Sequence, residues 1–404
     1  EMEESDWSSD VCSSDLDHAA APGSRQRRDT AIQLGRRLRE YEIPAYIVRS
    51  DDQAILRDIF NRINSAGRSL DDSDVFDALN GSRFESRPAT IPQISSELEK
   101  LGFGRIEERI LHRLLRVLLG LPVVESARSE PPRLTDTEAE QAYRLTAATA
   151  SQIIQFLKSD AGIPHYDLLP YKQAFVTLGR FFQLHPQPSP RSRELLARWI
   201  WRGALNGAHQ GDTVSTRKVL ARILPESEER SVHGMLEMVS GKPSAIPDVA
   251  DRCNFRFAAS KLLALALFSL EPRDLITGNR LAAGQLMSQV QSGHDSSPLL
   301  QIFPVRAGKV EEALQSAANR LIQPPHQRGV RRLLAGIDDS RLLLSHGISA
   351  AARQALDDGD SAAFLKLRAE WLRPRVELFF ARHARWDEPD RPRIASLIVD
   401  DEEG

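Results

Sequence analysis

The chain has 404 residues, a formal net charge of −3 at pH 7, 41% hydrophobic residues and 27% charged residues. This balance is typical of a folded protein of two or three domains and excludes a largely disordered chain. Two cysteines exclude a disulfide scaffold and an all-cysteine zinc site, and the longest apolar run, Leu262–Phe268, is too short to cross a membrane. We therefore expect a cytoplasmic protein with no membrane partner.

Residues 1–20 are set apart from the rest of the chain by their composition. Glu1–Leu16 is acidic and rich in serine, and it shows neither helical nor strand periodicity. Two interpretations are open: the stretch is similar to an artefact string found at the ends of translated metagenomic fragments, and it also fits a disordered acidic tail. In either case we predict that it makes no packed contacts with the folded body.

Residues 21–82 are predicted to form a small α+β unit. A first helical pattern ends before Pro44, and Ile43–Val48 has the composition of one short strand. A second helix is predicted over Asp52–Ile63, and Gly67 suits the positive φ of its C-terminal cap. A single strand leaves an unpaired edge, which we expect this unit to expose.

From residue 83 onward the pattern is almost entirely helical, and the predicted fold class is mainly α. We predict a multi-helix domain over 83–290, a C-terminal helical region over 291–386 and a charged tail over 387–404. Within the C-terminal region, an isolated strand-like run is predicted at Leu299–Val305 and a helix at Val310–Leu321. The other predicted helices are Ile91–Leu101, Ile106–Leu119, Thr135–Lys158, Tyr171–Leu184, Pro190–Leu205, Ser215–Leu224, Phe255–Leu270, Leu281–Val290, Leu342–Ser345 and Asp360–Trp386, the last with a kink at Pro374.

One predicted helix carries arginines at helical spacing. The stripe consists of Arg105, Arg109, Arg113 and Arg116. Such a stripe fits contacts with nucleic-acid phosphates, but Glu107 and Glu108 interrupt it and equally fit a solvated helix face. The ten histidines are scattered singly, so the sequence predicts no metal site.

Tyr41–Gly81 resembles the closing part of the DUF262 domain, the ParB/sulfiredoxin-like N-terminal domain of GmrSD-type restriction systems. The similar residues include Ile43-Pro44 at the strand entry and a helix-to-turn segment with Arg62, Asn64 and Gly67. The resemblance implies that residues 21–82 are the truncated C-terminal remnant of this domain. It also implies NTP-dependent endonuclease chemistry and defence against foreign or modified DNA. We expect Asn64 and Gly67 to build the turn, while Arg62 either contacts a phosphate or caps that turn.

The nucleotide-binding loop of the DUF262 family, Asp-Gly-Gln-Gln-Arg, has no counterpart in this sequence. In family members the loop lies well upstream of the strand, and Gly23–Arg27 shares letters with it but lacks the Asp. The resemblance therefore implies that NTP and Mg²⁺ serve the intact family member and that this fragment takes no cofactor. We expect the fragment to be inactive in the N-terminal reaction.

The C-terminal third resembles, more weakly, the DUF1524-type His-Asn-His (ββα-metal) nuclease region of family members. Gln301 stands where these nucleases carry a catalytic His, and Asn319 stands where they carry an Asn. Two interpretations are open: a degenerate ββα element near 295–325, and a plain helical extension. The weak catalytic candidates are Asn319 and His294. Because Gln cannot take a proton from water near pH 7, we predict no nuclease activity.

Two functions remain open at this stage. The first is a fragment of a DUF262-like protein of DNA defence, with DNA or another protein subunit as its partner. The second is a non-catalytic helical protein-interaction module. Clusters of His, Asp and Glu side chains would favour an enzyme, whereas packed helices without such clusters would favour the module.

Overall fold

The computed structural model describes residues 30, 33–36, 90–123, 134–211, 213–291, 298–304, 312–325 and 327–391. The chain divides into two compact units, Glu1–Ser69 and Leu70–Gly404. In the first unit the described residues, Thr30 and 33–36, are helical. The predictions for residues 1–20 and for the strand and turn of the first unit lie outside the described residues.

The second unit is built from helices and one small sheet, which confirms the mainly-α prediction. Within the described residues, no helix is both long enough and apolar enough to span a membrane. The helices are α1 (Ile91–Leu98), α2 (Glu108–Leu118), α3 (Asp136–Ser159), α4 (Gln173–Leu184), α5 (Pro190–Leu205), α6 (Thr213–Leu220), α7 (Glu228–Glu237), α8 (Ala258–Phe268), α9 (Ala283–Gln291), α10 (Glu312–Gln315), α11 (Val330–Ala335), α12 (Ser340–Leu344), α13 (Ala350–Asp357) and α14 (Ser361–Ala384). The strands are β1 (Leu299–Gln301) and β2 (Arg320–Ile322).

Local sequence signals explain where the long helices begin. Thr135 and Glu138 form a capping box at the start of α3, in which each side chain binds the other residue's backbone N–H. Ser189 caps α5 by accepting from the backbone N–H of Ser192, and Pro190 occupies the first helical position. These signals lie within one helical turn, which is why the sequence predicted both starts to within one residue.

The core of the second unit is formed where the apolar faces of the helices meet. Helices α2 and α4 approach closely because Gly179 has no side chain, and a Cβ there would lie 2.0 Å from Leu114 Cδ1. Trp199 and Trp201 of α5 are both buried, and the Trp201 indole N–H donates to the carbonyl of Ala161 at 2.8 Å. The long helices α2 to α5 therefore pack as one apolar body.

The residues that directly follow α14 are anchored on α5. Arg198 and Arg202 are both buried, and both bind the carboxylate of Asp390, at 3.2 Å and 2.5 Å respectively. Arg198 also pairs with Glu388, and the Arg202 Nε donates to the carbonyl of Ala384 at 2.7 Å. The first residues of the charged tail are thus packed against the body by charge-assisted hydrogen bonds.

Two sequence predictions for the C-terminal region are corrected by the structure. The helix predicted at Val310–Leu321 is wrong in its second half, because a 3-10 turn over Ala317–Asn319 leads into β2. The predicted strand is not isolated, since β1 pairs antiparallel with β2. Helices α7, α11 and α13 were not predicted. Helix α14 continues on both sides of Pro374.

Candidate nucleic-acid interface

The pair β1–β2 places Gln301 at the end of a strand. Gln301 lies opposite Arg320 in the register, and the backbone N–H of Ile302 donates to the carbonyl of Asn319 at 3.1 Å. With its amide oxygen turned toward β2, Gln301 accepts from both terminal nitrogens of Arg320, at 2.9 and 3.1 Å. The residue that the resemblance aligns with a catalytic His is therefore held by an arginine and has no titratable proton.

Asn319 fixes the loop that follows β1. Its Nδ2 donates to the carbonyls of Phe303 (2.8 Å) and Leu314 (2.7 Å), and its Oδ1 accepts from the Phe303 backbone N–H at 2.9 Å. The side chain is completely buried. Asn319 therefore acts as a structural clamp, and it has no exposed atom with which to touch a ligand.

A second layer supports this clamp from α14. The ring of Phe364 packs edge-on against Phe303, with 5.3 Å between the ring centroids. Arg368 is fully buried and donates to the carbonyls of Ala318 and His346. Burial lowers the pKa of Arg368 to about 9, so the guanidinium stays charged at pH 7 and is stabilised by these carbonyl oxygens.

His346 completes the supporting layer in its neutral form. Burial lowers its pKa to about 4, and its Nε2 lies 2.7 Å from the carbonyl oxygen of Arg273. A neutral imidazole can donate to that oxygen only through a protonated Nε2. Asn319, Arg368 and His346 thus belong to one buried layer of side chains that bind backbone carbonyls.

The segment that follows Val249 brings additional basic residues to the edge of this scaffold. Arg252 forms an isolated antiparallel bridge with Ser316, and the backbone N–H of Cys253 donates to the carbonyl of Gln315 at 2.8 Å. The backbone N–H of Ala318 donates to the carbonyl of Val249, also at 2.8 Å. Residues 249–253 therefore run alongside the chain that leads into β2.

A cavity of about 600 Å³ opens where these segments meet, and we call it the basic hollow. Four cationic side chains line it: Arg252, Arg256, Lys261 and Arg320. Its wall also includes Asp167, Cys253, Asn254, Phe255, Leu299, Gln301 and Gln315. Within the described part of the chain, none of the four cations forms an ion pair with a carboxylate.

The charges of the basic hollow follow from burial. Burial, together with the charge of Lys172, lowers the pKa of Lys261 to about 8, so the ammonium is mostly protonated at pH 7. Burial also lowers the pKa of Arg320. Burial raises the pKa of Cys253, which keeps this side chain a neutral thiol. Among the described lining residues Asp167 is the only carboxylate, so this part of the basic hollow is net positive and suits an anion.

A second cavity of about 470 Å³ adjoins the basic hollow, and we call it the neighbouring hollow. The two cavities share Phe255, Arg256 and Lys261 as lining residues. The neighbouring hollow adds Arg109 and Lys172 to the cationic surface. Both of these cations pair with Glu107, so they contribute less net positive charge than the four cations of the basic hollow.

The predicted arginine stripe is divided between three environments. Arg105 and Arg109 are exposed and pair with Glu108 and Glu107. Arg113 is half-buried and donates to Gln173 at 3.0 Å, whereas Arg116 is buried and donates to the carbonyl of Pro122 at 2.8 Å. Helical spacing alone did not reveal this division. In this stripe, Arg109 lines the neighbouring hollow, whereas Arg116 is too deeply buried to contact a phosphate.

Other predicted site residues cannot be placed. His294, Arg62, Asn64 and Gly67 lie outside the described residues. In the part of the chain that the structure describes, no three His, Cys, Asp or Glu side chains come together as a group able to hold a metal ion.

The sequence analysis missed the residues that carry the strongest positive surface. The stretch DRCNFRF places basic and aromatic side chains close together, among them Arg252, Arg256 and Phe257. That interleaving is a nucleic-acid-binding signal, and it was available from the sequence. Lys261 and Arg320 gave no such signal, because only the fold brings them to the same cavity.

Comparisons with known proteins return no assignment for this chain. No protein-family model matches it, and none of the curated proteins is significantly similar to it. The resemblance to the DUF262 family stays a hypothesis that depends on the residues named above.

Proposed function

We propose that this chain is part of a DUF262-like protein of DNA defence and that it binds the phosphate backbone of DNA without cleaving it. The observation that carries the proposal is the basic hollow, in which Arg252, Arg256, Lys261 and Arg320 surround one cavity. In the described residues none of these cations pairs with a carboxylate, and cations that converge on an open cavity match the requirement of a polyanion. In this proposal the protein acts in the cytoplasm, where foreign DNA is met.

The same site supports binding without hydrolysis. Gln301 occupies the strand end where the resemblance expects a catalytic base, and its amide oxygen accepts from Arg320. Asn319, the other retained nuclease residue, is buried as a clamp. The nucleotide-binding loop of the family is missing from the sequence, so the proposal assigns no NTP or Mg²⁺ to this chain.

The binding experiment uses the full chain and a fluorescently labelled 20-base-pair DNA in an anisotropy titration. Arg252→Gln combined with Arg256→Gln should weaken binding about 10- to 100-fold and reduce the salt dependence, with a slope of log K against log salt about 2 smaller in magnitude. The matched control is Arg332→Gln with Arg341→Gln, two exposed arginines that line neither hollow. Equal losses in both double variants, or no salt-dependent DNA binding at all, would contradict the proposal and favour the protein-interaction module.

The absence of cleavage is tested separately on supercoiled plasmid. We expect no nicking by the full chain with Mg²⁺ or Mn²⁺, with or without added NTP. Metal-dependent nicking that is lost in His294→Ala or Asn319→Ala would show an active nuclease site and contradict the proposal. A melting curve for each variant distinguishes a lost reaction from a lost fold.

A further inference from the structure

The two hollows form one continuous track, and an aromatic residue lies at their junction. Phe255 lines both cavities together with Arg256 and Lys261. Cations lie on either side of this junction, with Arg252 and Arg320 in the basic hollow and Arg109 and Lys172 in the neighbouring hollow. A ligand that follows the track therefore passes a ring between two groups of positive charges.

A second ring, that of Phe257, belongs to the turn that follows Phe255 in the chain. Phe257 is 63% exposed, although it is a large apolar side chain at the start of α8. Its backbone N–H donates to the carbonyl of Asn254 at 2.9 Å, while the Asn254 side chain accepts from the Arg256 N–H at 3.1 Å. The Asn254 N–H in turn donates to the hydroxyl of Ser260 at 2.8 Å. These hydrogen bonds hold the turn on which Phe257 is exposed to solvent, two residues after Phe255, although Phe257 itself lines neither hollow.

We infer that this track binds single-stranded DNA in preference to duplex DNA, with unstacked bases on the rings of Phe255 and Phe257. The inference rests on the proposed function and specifies the form of the DNA. In a duplex the faces of internal bases are covered by their neighbours, so an aromatic ring can reach only a base that has left the stack. Cations combined with accessible aromatic rings, here the half-buried Phe255 and the exposed Phe257, bind single strands with little sequence preference.

Ring and charge are expected to contribute differently to the two forms of DNA. The cations contact phosphates, which single-stranded and duplex DNA both carry, so they strengthen binding to both. The rings contact base faces, so they strengthen binding only to the single strand. Removing the rings should therefore abolish the preference while leaving the salt-dependent binding of duplex in place.

The experiment compares a labelled 15-nucleotide oligothymidylate with a 15-base-pair duplex, both titrated with the full chain. The wild type should bind the single strand at least about tenfold more tightly than the duplex. Phe255→Leu with Phe257→Leu keeps two apolar side chains but removes both rings. It should weaken single-strand binding about tenfold or more and change duplex binding less than about twofold. The control variant Ile276→Ala removes an apolar side chain that is 71% exposed and lines neither hollow.

An abasic oligomer of the same length separates base stacking from charge. It should bind the wild type as weakly as the oligothymidylate binds the Phe255→Leu, Phe257→Leu variant. Equal affinity of the wild type for the abasic and the normal strand would overturn the inference. So would equal affinity for single strand and duplex, and in that case salt-dependent DNA binding would leave the proposed function standing. Loss of binding to every DNA would reject the proposed function and the inference together.

Discussion

The two sides of the β1–β2 element differ sharply in chemistry. On the buried side, every polar atom of Asn319 that can form a hydrogen bond finds a backbone partner, and Arg368 and His346 form a second supporting layer. On the open side, Gln301 and Arg320 face a cavity lined by further cations. The comparison shows a complete scaffold beneath a surface that is suited to binding rather than to proton transfer. Changes to the two sides should therefore have separable effects, on stability and on DNA binding respectively.

The largest effect is expected from the clamp. Asn319→Ala leaves the Phe303 N–H and the carbonyls of Phe303 and Leu314 without their partner. Buried groups left without a hydrogen bond cost about 1–3 kcal/mol each, so we expect a loss of about 3–5 kcal/mol in the free energy of unfolding. Urea denaturation of the purified chain measures it.

The control for the clamp is Asn279→Ala, which removes an exposed asparagine from a surface turn. That variant should change the free energy of unfolding by no more than about 0.5 kcal/mol. A loss below about 1 kcal/mol for Asn319→Ala would show that the loop after β1 is not held by this side chain.

The next effect is a loss of stability in acid, caused by histidines buried in neutral form. Burial lowers the pKa of His346, His209 and His112 to about 4. The unfolded chain binds these protons near the ordinary pKa of 6.5, whereas the folded chain binds them only near pH 4. Stability is therefore complete above pH 6.5 and is lost as the pH falls toward 4. Each of these histidines should lower the free energy of unfolding by about 2 kcal/mol between pH 7 and pH 5.

The contribution of His346 to this acid loss can be isolated. His346→Gln keeps a donor that can reach the carbonyl of Arg273 but removes the titrating ring. Its free energy of unfolding should fall by about 2 kcal/mol less than that of the wild type between pH 7 and pH 5. The same acid loss in variant and wild type would place the sensitivity elsewhere.

The same comparison shows what the sequence could predict. The start of α5 was predicted because Ser189 and Pro190 are adjacent and act within one turn. Strand β2 was missed because Arg320–Ile322 continues an apparent helical pattern, and it becomes a strand only by pairing with β1, about twenty residues away. Local chemistry decided the first element and a non-local pairing decided the second.

In the candidate site, too, contacts between distant segments could not be predicted from the sequence. The sequence analysis named Asn319 as a weak catalytic candidate, and the structure shows that it holds the loop after β1 through backbone hydrogen bonds. The basic hollow was missed because the bridge between Arg252 and Ser316 joins segments that are far apart in sequence. The arginine stripe was predicted as one face, yet Arg116 turns inward to the carbonyl of Pro122, which belongs to the loop after α2.

The smallest predicted effect is a pH dependence of DNA binding that depends on Lys261. The pKa of this ammonium is lowered to about 8 by burial and by Lys172, while Asp167 and Glu107 raise it in part. A phosphate in the basic hollow favours the charged form, so bound DNA raises this pKa and deprotonation opposes binding. If the contact is worth about 1.4 kcal/mol, which is one pKa unit, affinity should fall about fivefold between pH 7 and pH 9. Lys261→Arg keeps the charge above pH 9 and should remove most of this decline, whereas Lys261→Met should bind weakly at both pH values. If the DNA affinity of Lys261→Arg also falls fivefold between pH 7 and pH 9, a group other than Lys261 causes the pH dependence, and the prediction is wrong.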